Sequence, residues 1–68
     1  GFEKGIASAS QNIGIVYSDQ GNLELSKKYN LLAADLYKKN NHKKGLAAIY
    51  SNLATIYSEE KNILTFFE

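Results

Sequence analysis

Apolar residues recur along this chain in three stripes at helical spacing, separated by short polar breaks. Leu46, Ile49, Tyr50, Leu53, Ala54 and Tyr57 follow the i, i+3, i+4, i+7, i+8, i+11 rhythm of one helical face. Leu25, Tyr29, Leu32, Ala33 and Leu36 make a second stripe, and Ile6, Ala9, Ser10, Ile13, Gly14 and Tyr17 a third, with smaller side chains. No proline interrupts any of them. Gly21 can end one helix in the left-handed conformation, and Asn22 can cap the next, with Glu24 in its first turn. Asn40-Asn41 offers a second break of the same chemistry. The pattern predicts helices near 2–20, 22–39 and 43–60. Lys61-Asn62 repeats the first turn without its glycine, which predicts a short fourth helix from about residue 62 through Ile63, Leu64, Phe66 and Phe67.

The stripes are related by an internal repeat. At an offset of forty residues Lys4-Gly5-Ile6-Ala7 falls on Lys44-Gly45-Leu46-Ala47, Asn12-Ile13-Gly14 on Asn52-Leu53-Ala54, and Val16-Tyr17-Ser18-Asp19 on Ile56-Tyr57-Ser58-Glu59. Seven of the nineteen positions from Lys4 to Asn22 are identical, where ordinary residue frequencies would give about one. A fixed period of this size signals stacked supersecondary units. The chain thus reads as one domain over 1–68, with a first unit at about 4–43 and part of a second at about 44–68.

Composition removes several function classes. A chain of 68 residues buries only about 60% of the surface its unfolded form exposes, which leaves little room for an enclosed catalytic pocket. No run approaches the roughly 18 apolar residues that suggest a membrane span, and the first residues lack the pattern of a signal peptide. Cysteine is absent, so disulfides, thiolate metal sites and thiol nucleophiles are excluded together and the redox compartment is left open. The cytoplasm is slightly favoured, with the periplasm open if the parent is a sensor. Charge is nearly balanced at +1, and every basic residue is lysine. Without arginine there is no bidentate grip on phosphate or guanine, which argues against nucleic acid as a partner. The Lys38-Lys39-Asn40-Asn41-His42-Lys43-Lys44 stretch reads as a solvated turn whose lysines sit near a helix C-terminus.

The landmarks Ile13-Gly14-x-x-Tyr17, Gly21, Ser26 and Ala33, with Leu53-Ala54-x-x-Tyr57 repeating the first of them, resemble the tetratricopeptide repeat in a longer, forty-residue form. The resemblance implies an all-α fold of antiparallel helical hairpins in a superhelical stack, here about one and a half repeats. Two departures stand out. Asn30 occupies a place the family usually gives to an aromatic, which is expected to loosen the hairpin core, and Lys61 stands where it has glycine. The wording around Gly-Ile-Ala and Asn-Ile-Gly-Ile-Val-Tyr is further similar to tandem repeats of bacterial sensor histidine kinases and related regulators.

That resemblance implies a protein-binding scaffold. In the family the first helix of each hairpin lines a concave groove, and the asparagine before the Leu-Gly pair often bonds a bound peptide's backbone, a place matched by Asn12 and Asn52. A carboxamide suits this task because it both donates and accepts. Helical phase adds Gln11 and Ile15 from the first unit and Ser51 and Thr55 from the second, giving a polar, nearly neutral groove without the lysines of a carboxylate clamp. No catalytic, metal or cofactor constellation is expected: His42 lacks an orienting carboxylate and nucleophile, and Glu59 and Glu60 diverge on consecutive helix positions. The expected partner is a protein or peptide. The apolar faces left over also predict a homo-oligomer, or packing on further repeats of a longer parent.

Overall fold

The computed structural model describes residues 2–67, with side-chain surroundings for residues 2–65. The described residues form three α-helices and no strand: α1 (Phe2–Asp19), α2 (Leu23–Lys39) and α3 (Lys43–Phe67). Both turns are built from the residues that local chemistry singles out. Gly21 sits at φ 80, and the turn is closed by Gly21 N–H to the Ser18 carbonyl at 3.0 Å and Asn22 N–H to the Tyr17 carbonyl at 2.9 Å. These two bonds satisfy carbonyls that the helix end would otherwise strand, in the Schellman arrangement. The Asn22 Oδ1 then accepts from Leu25 N–H at 3.3 Å, capping α2. The second turn repeats the device with Asn41 at φ 56, where Asn41 N–H donates to Lys38 and His42 N–H to the Tyr37 carbonyl at 2.8 Å.

These tight turns make consecutive helices antiparallel, and α2 packs against both of its neighbours while α1 and α3 hardly touch. The result is a slab of 45 × 19 × 12 Å. Its core holds Ala7 from α1, Ala33, Ala34 and Tyr37 from α2, and Ile49, Leu53 and Ile56 from α3. Leu23, Leu36 and Leu46 pack at its edge.

The structure corrects the sequence reading in three places. First, there is no turn at Lys61-Asn62: α3 runs on for 25 residues, and no fourth helix begins. Lysine stands where the first unit has Gly21, and a residue with a Cβ and good helix propensity continues a helix more cheaply than it turns left-handed. Ile63 and Leu64 therefore ride on the end of α3, 48% and 67% exposed, and the expected packing of Phe66 and Phe67 lies outside the described side chains.

Second, the stripes are not buried as whole faces. On α3, Ile49, Leu53 and Ile56 are buried but Tyr50, Ala54 and Tyr57 are exposed; on α1, Ser10 and Gly14 are buried but Ile6, Ala9 and Ile13 are exposed; on α2, Leu32 is exposed. Each outer helix has two adjoining apolar faces and only one helix, α2, to cover them. Because α2 lies between the two units, it covers one face on α1 and the other on α3.

Third, Asn30 does not leave a gap. It is 1% exposed, and its Nδ2 donates to the Ser26 carbonyl at 2.8 Å. The space that an aromatic ring would need is taken by the backbone of α1: a Cβ built on Gly14 would lie 2.7 Å from Asn30 Nδ2 and 3.3 Å from the Ser26 carbonyl. Such a close helix approach excludes a larger side chain and suits an amide that can bond its surroundings.

Candidate functional site

Three polar side chains and one backbone carbonyl link all three helices. Ser26, fully buried on α2, donates its hydroxyl to the Gly14 carbonyl of α1 at 2.7 Å. Asn30, one turn further along α2, bonds Ser26 and accepts at Oδ1 from the Asn52 Nδ2 of α3 at 3.3 Å. No buried side-chain nitrogen or oxygen among the described residues lacks a partner. A satisfied network of this kind fixes helix register, since sliding α1 by a turn would break the Ser26–Gly14 bond and sliding α3 the Asn52–Asn30 bond.

The candidate groove residues are placed unequally around this network. Gln11 accepts at Oε1 from the Tyr37 hydroxyl at 3.2 Å, so it reaches the same α2 stripe, Asn30 and Tyr37 seven residues apart, that Asn52 reaches from α3. Gln11 from α1 and Asn52 from α3 therefore approach one stripe of α2. Asn12 is exposed and makes no hydrogen bond among the described residues. Ile15 is 42% exposed, and Ser51 and Thr55 are exposed, with the Thr55 hydroxyl donating to the Ser51 carbonyl at 3.2 Å. Asn12 and Asn52, equivalent in the repeat, thus differ in state: Asn52 is tied to α2 and Asn12 is free. Sequence pattern alone could not separate them, because the difference lies in which face of each outer helix α2 covers.

One functional-looking group lay outside the sequence reading. Lys27 Nζ bonds both oxygens of Glu60, at 3.1 and 2.9 Å, and lies 5.4 Å from the Tyr57 ring centroid. The hydrogen bonds it donates to Glu60 raise the Lys27 ammonium above its ordinary value of 10.5, against an opposing desolvation effect. Because the folded-state value is the higher one, the contribution of this ammonium, with Glu60 ionised, is fully present below pH 10.5 and is lost as pH rises through the raised value. Glu60→Gln should move the Lys27 midpoint back toward 10.5 in an NMR titration of its ε-methylene signals; an unmoved midpoint would show that Glu60 is not the cause.

One concavity, about 290 Å³, is an open apolar notch between Gly21 and Leu23 at the first turn and Glu60, Ile63 and Leu64 on α3. It touches none of the groove candidates, and its one titratable side chain is already paired with Lys27. A smaller one, about 170 Å³, lies at the second turn beside Tyr37 and His42. The His42 ring lies tilted against that of Tyr37, centroids 5.0 Å apart, and no cluster of three His, Asp or Glu able to hold a metal occurs among the described residues. No described helix is long and apolar enough to cross a membrane. Comparison with protein-family models, curated proteins and solved structures returns no match for this chain.

Proposed function

We propose that this chain is a protein-interaction scaffold built from tetratricopeptide-type hairpins, part of a larger bacterial signalling or regulatory protein, and not an enzyme. One observation carries the reading: among the described residues, more large hydrophobic side chains lie at the surface than in the core. Phe2, Ile6, Ile13, Ile15 and Val16 on α1 and Tyr50 and Tyr57 on α3 are all exposed, against Tyr37, Ile49, Leu53 and Ile56 buried. Exposed apolar side chains in such number, where they adjoin along a helix face, mark interaction sites. The close approach of Gly14 to Ser26 and the two left-handed turns support the hairpin type. The groove for a peptide is the side of α1 and α3 that carries Gln11 and Asn52, with Gln11, Asn12, Ile15, Ser51 and Thr55 offering donors, acceptors and one apolar contact, and Asn52 braced against α2. The same exposed surface favours a second reading, a self-associating structural segment.

Selection of peptides from a displayed library against the chain tests the first reading. Enriched binders should lose affinity on Ile15→Asp; a selection that enriches nothing, or binders indifferent to that change, would sink it. Sedimentation equilibrium tests the second, since a monomer at every concentration removes it. Stability measurements separate the two asparagines. Asn12→Ala should change stability by less than about 0.5 kcal/mol, as exposed substitutions do. Asn52→Ala should cost about 0.5–1.5 kcal/mol in a denaturant melt, the range of one lost intramolecular hydrogen bond.

A further inference from the structure

Folding gathers most of the positive charge of the chain at one end of the slab. Lys38 and Lys39 lie in the last turn of α2, and Lys43 and Lys44 open α3. Glu3 of α1 pairs with Lys39 at 3.2 Å, so the first turn of α1, which carries Lys4, arrives beside them. All five lysines are exposed. Five of the eight lysines thus share this end with one carboxylate, Glu3, a formal +4, while the rest of the chain holds three lysines and six carboxylates, a formal −3. Asp35 stands one turn back along α2, and Asp19, Glu24, Glu59 and Glu60 lie toward the opposite end, where the first turn is. The chain is nearly neutral at +1, but it extends over 45 Å. Screening acts over about 8 Å in physiological salt, so a surface that meets the basic end senses its lysines and not the distant carboxylates.

An apolar side chain joins these cations. Phe2, in the same first turn of α1, is 84% exposed. A lone exposed phenylalanine is unremarkable, and so are lysines at a turn. Set side by side, ring and ammonium groups have the chemistry of an interfacial anchor, in which cations meet anionic headgroups and the ring enters the boundary with the acyl chains. A polyphosphate or polyacidic chain would satisfy the lysines but offer the ring no apolar medium. Lysine is a flexible point charge suited to headgroups that move laterally, whereas arginine, which fits a fixed phosphate geometry, is absent. We propose that the end of the slab formed by the first turn of α1 and the second turn docks on an anionic phospholipid surface through Phe2, Lys4, Lys38, Lys39, Lys43 and Lys44. The contact is peripheral. Gln11 and Ser51 lie about two helical turns from Lys4 and Lys44, so the docking is independent of whether the groove takes a peptide.

Phosphatidylcholine vesicles with about 30% phosphatidylserine, sedimented with the 68-residue chain in low salt, should carry the chain down, and vesicles of phosphatidylcholine alone should not. About 0.5 M salt should release it. Lys38→Glu with Lys43→Glu should weaken binding at least about twentyfold, at about fivefold for each lysine lost. Lys28→Glu with Lys61→Glu makes the same change in net charge away from this end and should leave binding nearly unchanged. Circular dichroism checks that each chain keeps its helices, and Lys38→Gln with Lys43→Gln repeats the test with half the change in charge. Because the chain has no tryptophan, Phe2→Trp puts a single reporter at the ring's position. Its emission should shift to shorter wavelength on the anionic vesicles and stay where it is with polyglutamate or duplex DNA. No binding to anionic vesicles, equal binding to neutral ones, equal losses from the two charge reversals, or an emission unmoved while the chain is bound would each overturn the proposal. Release from the vesicles by polyglutamate or DNA at equal total charge would overturn it too, assigning the basic end to an acidic macromolecule instead.

Discussion

Ile49→Ala should bring the chain to the edge of unfolding at room temperature. Ile49 is fully buried, one of the largest side chains in the core that also holds Ala34 and Tyr37 of α2 and Leu53 and Ile56 of α3. Truncation of such a side chain removes its transfer energy and leaves a cavity, together about 2–5 kcal/mol. A chain of this size has a total stability of roughly 3–10 kcal/mol at ordinary per-residue values. The expected result is a urea midpoint shifted strongly downward. The same truncation at Ile15, which is 42% exposed, should barely move the midpoint. Equal losses at both positions would mean that the core is not where the structure puts it.

Gly14→Leu is the second large effect, and it acts on the other interface. A single Cβ at this position already falls 2.7 Å from Asn30 Nδ2 and 3.3 Å from the Asn30 Cγ and the Ser26 carbonyl. Asn30 cannot swing aside cheaply, because it is buried and held to Ser26 and Asn52. A leucine must therefore part α1 from α2, losing the 2.7 Å bond from Ser26 to the Gly14 carbonyl and admitting water to the network. Overpacking costs about 1–3 kcal/mol, and a stranded buried polar group about 1–3 kcal/mol more. A gain in helix propensity of about 1 kcal/mol over glycine offsets only part of this. Ala54→Leu, at the equivalent place on α3, should be nearly neutral in a thermal melt, because Ala54 is exposed. A destabilised Ala54→Leu would show that the exposed side of α3 is covered in solution.

The contrast between those two positions shows what the sequence could and could not disclose. Helices and turns were legible because their causes are local: Gly21 and Asn41 adopt left-handed backbone whatever surrounds them, and the apolar spacing is a property of each helix alone. The buried face was not legible. Ser10, Gly14 and Tyr17 and their neighbours Ile6, Ile13 and Val16 are both at helical spacing, and only the arrangement of three helices decides which set meets α2. Asn30 looked like a flaw for the same reason, since its partners Ser26, Gly14 and Asn52 converge only in the folded chain. Lys61 was a matter of weight: the repeat argued for a turn, and one missing glycine was enough to prevent it. For the candidate site, the pattern paired Asn12 with Asn52 and had no means of telling that one of them was already engaged.

Because α1 and α3 each rest on α2 and scarcely on each other, their opening reactions are independent while that of α2 is not. Either outer helix can detach as a unit and leave the remaining pair intact, whereas α2 cannot loosen without releasing both. Amide protons of α2 should accordingly exchange through the largest opening free energy in the molecule, and those of α1 and α3 through smaller, separate ones. A ligand that clamps α1 would slow exchange in α1 and α2 and leave α3 almost untouched, so protection factors would show from which side the slab is being held.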